Sequence, residues 1–149
     1  MNDIPTSAKR KGHRGVAAVE VAVVLPLAFL FMYAIFDYGR VIMTKQLLDN
    51  ATRVAARQAV VATTTLTTAN LQATVAAHMG GLALQGMVVQ AYRADPTTGV
   101  NIGAWNSAAN GQCIAVQVSG AYKPIIPKIS LMPSSIALTS KVIMYCEAN

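Results

Sequence analysis

The stretch VAAVEVAVVLPLAFLFMYAIF, residues 16–36, contains one charged side chain, Glu20. About 20 apolar residues cross the hydrocarbon core of a bilayer as a helix, so this run is long enough to span one. A secretory signal has a shorter apolar core, roughly 7–15 residues, followed by a small-residue cleavage site. Here the run ends on Asp37-Tyr38-Gly39-Arg40, a poor site for such a cut. The run is therefore expected to be retained as a single membrane span. Lys9, Arg10, Lys11 and Arg14 precede it, whereas Arg40 and Lys45 follow it and are partly offset by Asp37. The excess of cations on the first flank puts the N-terminus in the cytoplasm and the bulk of the chain outside. Pro26 removes one helix hydrogen bond and should kink the span. Glu20 costs about 2.5–3.5 kcal/mol at mid-bilayer on insertion scales. Either it reaches back to the headgroups or it meets a defined cation.

The whole chain of 149 residues is 54% hydrophobic and only 12% charged, which excludes a disordered polymer. Half of its net charge of +6 lies in the N-terminal segment, where Lys9, Arg10, Lys11 and Arg14 outweigh Asp3, and the other half is spread thinly over the rest of the chain. It forms no basic face interleaved with aromatics, so no nucleic-acid partner is expected. Acids outside the span and the leader are limited to Asp37, Asp49, Asp95 and Glu147, with no close carboxylate pair for acid–base work. No phosphate loop, dinucleotide glycine pattern or nucleophile motif occurs. The chain is read as no enzyme, with no cofactor. His78 stands alone in a predicted helix, which points to a structural role, so no metal site is expected.

Beyond Arg40 the helix is expected to continue to about Val61, with Val41, Leu48, Ala51, Val54 and Ala55 at helical spacing. Asp49 and Arg53 form an i,i+4 pair. Ala59 is read as packing against the outer domain, while the partners of Ala51 and Ala55 stay open. Thr63-Thr64-Thr65 breaks the helix. A second helix is expected over Ala69–Met79, with Thr68 as its N-cap and Gly80-Gly81 as its stop. The pattern then changes to period two, giving strands over Gly86–Arg93, Gln112–Tyr122 and Ser135–Glu147. Residues 95–111 and the connection carrying Pro124, Pro127 and Pro133 read as loops. The expected fold class is α+β: a long N-terminal transmembrane helix continuing into a helix outside the membrane, a second short helix and a small three-stranded antiparallel sheet. The expected segments are a basic leader over 1–15, a span over 16–38, a helical continuation over 39–62 and an α+β domain over 63–149.

Cys113 opens the middle strand and Cys146 closes the last. A hairpin register pairing Cys113 with Cys146 also pairs Val116 with Ile143 and Tyr122 with Ala137. A disulfide would then close the open end of the hairpin, as an oxidising compartment permits. The alternative is two buried thiols.

Residues 14–40 resemble the amino-terminal signature of type IV pilins, and most closely the TadE-like minor pseudopilins of tight-adherence pilus systems. The resemblance rests on the basic leader, Gly15, the apolar helix with Glu20 five residues later, Leu25-Pro26, and the Asp37-Tyr38-Gly39-Arg40 step. It is strong over about 14–60 and weak beyond. It implies cleavage by prepilin peptidase between Gly15 and Val16, and a role for Glu20 in assembly by neutralising a terminal amine. The implied partners are prepilin peptidase, other pilin and pseudopilin subunits, an inner-membrane assembly platform and membrane lipid. The implied location is the inner membrane, single-pass with the C-terminal domain periplasmic, and incorporation into a pilus used in surface adhesion. A signal-anchored periplasmic binding module that is never processed is the alternative.

Overall fold

The computed structural model describes residues 13–82, 84–125 and 133–147. Residues 1–12, most of the expected leader, and Pro127 of the expected loop lie outside the described residues. Helix α1, His13–Val61, is 49 residues long and continues through Pro26. At 1.5 Å per residue it measures about 74 Å, more than twice the thickness of a hydrocarbon core.

Its two halves have opposite surroundings. Over 16–36 every large apolar side chain but Leu30 is exposed, from Val16 at 61% to Phe36 at 64%. An apolar window of this helix has a mean hydropathy of 2.3 and no part of it is buried. From Asp37 onward one face turns inward. Asp37, Thr44, Leu48, Ala51, Thr52, Ala55, Ala56, Ala59 and Val60 are buried, a recurrence of three and four residues that marks one side of a helix. Ala51, Ala55 and Ala59 are all fully buried in the main core. Their methyl side chains let the helix lie close to the sheet.

Helix α2, Thr68–His78, docks on the far end of α1 through Leu71 and Val75. Its N-cap is Thr67, one residue earlier than the sequence suggested. Thr67 Oγ1 accepts the Asn70 N–H, and Asn70 Oδ1 accepts the Thr67 N–H at 3.0 Å, which closes a capping box. Gly80 and Gly81 follow with positive φ.

The sheet has four strands rather than three: β1 Gln85–Ala94, β2 Asn101–Gly103, β3 Cys113–Tyr122 and β4 Ile136–Tyr145. All pairings are antiparallel, in the order β2-β1-β3-β4. The added strand β2 lies inside the glycine-rich segment read as loop. Its three residues are too few to show a period, and it pairs only with the end of β1. A short 3-10 turn, Trp105–Ser107, buries Trp105 in the main core.

The expected disulfide between Cys113 and Cys146 is absent, and the two thiols are not joined. The register explains why. Cys113 lies opposite Tyr145, Val116 opposite Val142 and Tyr122 opposite Ile136, one residue from the pairing read in the sequence. Directly opposed residues of an antiparallel pair share a face, and a slip of one residue exchanges the faces. Ile114, Val116, Val118 and Tyr122 of β3 face the helices, as do Leu138, Val142 and Met144 of β4. Even-numbered residues must therefore oppose even-numbered ones. Cys146 then joins the helix-side core, with Sγ 3.7 Å from the Val60 carbonyl oxygen and 3.8 Å from that of Ala108. Cys113 sits on the other face with Ala94 and Ala115. A bond between them would have to pass through the sheet. Adding a reductant should therefore leave the thermal midpoint of the outer domain unchanged, and a fall on reduction would contradict the register.

The face carrying Cys113 is itself partly covered. The turn after β1 folds back over it, and Lys141 Nζ donates to the Gly99 carbonyl oxygen at 2.6 Å. Gly99 has φ +65°, and a Cβ there would lie 3.0 Å from Ile143 Cδ1, so both backbone and space favour glycine. Asp95 holds the turn by accepting the N–H groups of Thr97 at 2.9 Å and Thr98 at 2.7 Å. Those bonds keep its carboxyl below the ordinary carboxylate range. Lys141 also stands 5.5 Å from the centroid of the Tyr92 ring, within cation–π range.

Candidate functional site: the bare helix and its junction with the outer domain

Gly15, Val16 and Glu20 lie in the first two turns of α1 and are exposed. The helix begins at His13 rather than Val16, so the Gly15–Val16 bond lies within its first turn. The opening N–H groups of any helix have no intrahelical acceptor, so this turn is the easiest to unwind. Nothing lies within 4 Å of a Cβ built on Gly15, and its φ is not positive. The fold of this chain thus gives no reason for glycine here. Inside a helix glycine costs roughly 0.5–1 kcal/mol against alanine. Glu20 follows Val16 at i,i+4, on the same helix face about 6 Å along the axis. Its surroundings on that face are Val21, Val24, Leu25 and Ala28, all exposed. While the chain is uncut the Val16 nitrogen is an amide and carries no charge, so Glu20 has no amine to meet on its own helix.

The outer domain is fixed to the second half of α1 by polar contacts at both ends. Lys45 Nζ donates to Asp49 Oδ1 and, at 2.9 Å, to the Thr139 carbonyl oxygen of β4. The pair formed by Asp49 is thus with Lys45 a turn before it, and Arg53 adds only a more distant attraction. At the other end the Glu147 N–H donates to the Val60 carbonyl oxygen at 3.3 Å. Thr74 Oγ1 of α2 donates to Gln58 Oε1 of α1 at 2.8 Å, while Trp105 Nε1 donates to Thr68 Oγ1 at 3.4 Å and so ties the 3-10 turn to α2.

Partial burial raises the Asp49 carboxyl, but hydrogen bonds from Lys45 and Ser140 and the charges of Lys45 and Arg53 outweigh it and leave it below the ordinary value. A depressed carboxyl contributes stability above its unfolded value, near 3.9, and that contribution is lost as pH falls through the lower folded value. In acid titrations of unfolding, Asp49→Asn should flatten the loss of stability below about pH 4. An unchanged acid limb would show that Asp49 does not link α1 to β4.

His78 is exposed, and its Nδ1 lies 2.9 Å from the Thr74 carbonyl oxygen. Among the described residues no three His, Cys, Asp or Glu side chains are grouped to hold a metal ion. The bare, charge-poor half of α1 ending at a domain packed wholly on the other half is therefore the feature that distinguishes this chain. Residues 15–57, lying entirely within α1, match the family model of the TadE-like protein. Over this helix the chain is similar to the TadE-like family. The TadE-like match begins at Gly15 and takes in Glu20, Pro26 and the buried alanines 51 and 55. It stops before α2 and the sheet. No curated protein and no solved structure matches the chain.

Proposed function

We propose that this TadE-like chain is a minor pseudopilin of a tight-adherence pilus system. In this reading prepilin peptidase removes residues 1–15, residues 16–38 span the inner membrane, residues 39–62 continue the helix, and residues 63–149 form a periplasmic domain. The observation that carries it is the helix with one apolar half left bare and one half built into a domain. Such a shape has two environments available to the bare half: a bilayer before assembly and the helices of neighbouring subunits after it. The chain then acts as a structural subunit in pilus assembly and surface adhesion.

Each residue in the proposed sequence of events has a stated task. The basic leader holds the N-terminus on the cytoplasmic side. Gly15 lets the unwound backbone enter a protease cleft that a branched side chain would block. Hydrolysis of the Gly15–Val16 peptide consumes one water and leaves a carboxylate on Gly15 and an α-amino group on Val16. The new amine carries a positive charge at neutral pH, since its ordinary pKa is near 8. Charges withdrawn from water need partners, and Glu20 supplies one to the amine of its own or a neighbouring helix.

The experiment compares Gly15→Val with Gly39→Val in cells with active peptidase. Both positions are helical and spacious, with no atom within 4 Å of the place a Cβ would take. Gly15→Val should retain the leader, read as the mass of the membrane-bound protein, while Gly39→Val should still lose it. Cleavage of Gly15→Val at the wild-type bond would contradict the assignment, and an uncut wild-type chain would favour the unprocessed binding module.

A further inference from the structure

We propose that the outer domain carries a binding site for the phosphate of an anionic phospholipid headgroup where α1 leaves the bilayer. The site is a cavity of about 240 Å³ between Arg40 and Thr44 of α1, Gln85 at the start of β1, Leu82, and Tyr122 and Lys123 at the end of β3. That is several times the ~30 Å³ share of one water molecule. The inference rests on the proposed membrane span and extends it to a particular lipid.

Three observations converge on an anion at this place. First, the lining residues carry donors and no carboxylate: Arg40 and Lys123 bring cations, Gln85 an amide and Tyr122 a phenol. Asp37, a turn nearer the span, is buried and does not line the cavity. Second, Tyr122 is only 6% exposed, and its hydroxyl has no hydrogen-bond partner among the described residues. The neighbouring hydroxyl of Thr44 is already engaged, donating to the Arg40 carbonyl oxygen at 2.8 Å. A buried unpaired hydroxyl is unusual and calls for a ligand atom. Third, the height is right. Arg40 follows Phe36, the last residue of the bare run, by about 6 Å along the helix. The polar layer outside the hydrocarbon core is roughly 5–7 Å deep on each side. Exposed Tyr33 and Tyr38 flank that boundary, where amphipathic rings concentrate. A phosphodiester in that layer accepts from the Tyr122 hydroxyl and meets both cations.

Native mass spectrometry of the full chain, released from detergent micelles doped with phosphatidylglycerol or phosphatidylcholine, tests the site. One phosphatidylglycerol per chain should be retained, with phosphatidylcholine retained at least about tenfold less. Arg40→Gln, on an exposed residue that does not threaten the fold, should weaken retention about tenfold, and so should Tyr122→Phe, the size expected for a lost hydrogen bond to a charged group. Arg57→Gln, at the far end of α1, should leave it unchanged. Equal retention of the two lipids, or an Arg57→Gln effect as large as that of Arg40→Gln, would overturn the proposal. Displacement of the lipid by millimolar inorganic phosphate would overturn the lipid as occupant. Alkaline extraction from phosphatidylcholine vesicles separates the two layers of the argument. Release of the chain contradicts the span itself, whereas a firmly inserted chain without lipid preference contradicts the cavity alone.

Discussion

Glu20→Ala should leave the protein in the membrane at normal or raised levels and remove it from sheared pilus fractions. The two halves of this result have opposite signs, which makes it informative. In the bilayer the carboxylate is a liability of about 2.5–3.5 kcal/mol, so its loss eases insertion. In a packed fibre the same carboxylate would neutralise the Val16 amine, and removing one partner of a buried pair costs roughly 3–5 kcal/mol. That corresponds to a fall of about a hundredfold or more in the assembled population. Quantifying the chain in membrane and pilus fractions from the same cells gives both numbers. Pilus incorporation undiminished by Glu20→Ala would refute the pairing, whatever happens in the membrane.

The second large effect concerns the other half of the helix. Leu48 is fully buried among residues of both helices and the sheet. Leu48→Ala should destabilise the outer domain by about 2–5 kcal/mol, through lost transfer energy and the cavity left behind. Ile42→Ala, on the same helix but 53% exposed, should change stability by no more than about 0.5 kcal/mol. Thermal or denaturant unfolding of the full chain in detergent, followed through Trp105 fluorescence, separates them, because Trp105 is buried in the same core. Equal effects would mean that the second half of α1 is a tether and not part of the fold. Neither substitution should alter membrane insertion, because residues 16–36 carry the hydrophobicity for it.

Local patterns were legible in the sequence wherever one period dominates. The 16–36 run, the continuation of the helix to Val61 and the three ten-residue strands can be read directly, and the structure differs from those bounds by a few residues. The register of β3 with β4 could not be read so simply, because Val142-Ile143-Met144-Tyr145 is apolar on both faces. Only the helix-facing burial of Val142 and Met144, with Ile143 and Tyr145 exposed, decides the pairing and separates the two cysteines. At the α2 start two adjacent threonines competed, and Asn70 three residues after Thr67 selects the first. The Lys45 contact with the Thr139 carbonyl and the Tyr122 cavity join residues about 80 or more positions apart in the chain. No spacing rule in the sequence reaches across such distances. The short strand β2 has only β1 as a partner and exists by tertiary context alone.

The most direct test of the central claim is the N-terminus of the mature protein. The membrane-bound chain, recovered from cells with an active prepilin peptidase, should be subjected to N-terminal sequencing and intact mass measurement. The account predicts a chain beginning Val16-Ala17-Ala18, lacking residues 1–15 and carrying the α-amine that Glu20 is proposed to meet. A chain that keeps its basic leader in those cells would contradict it.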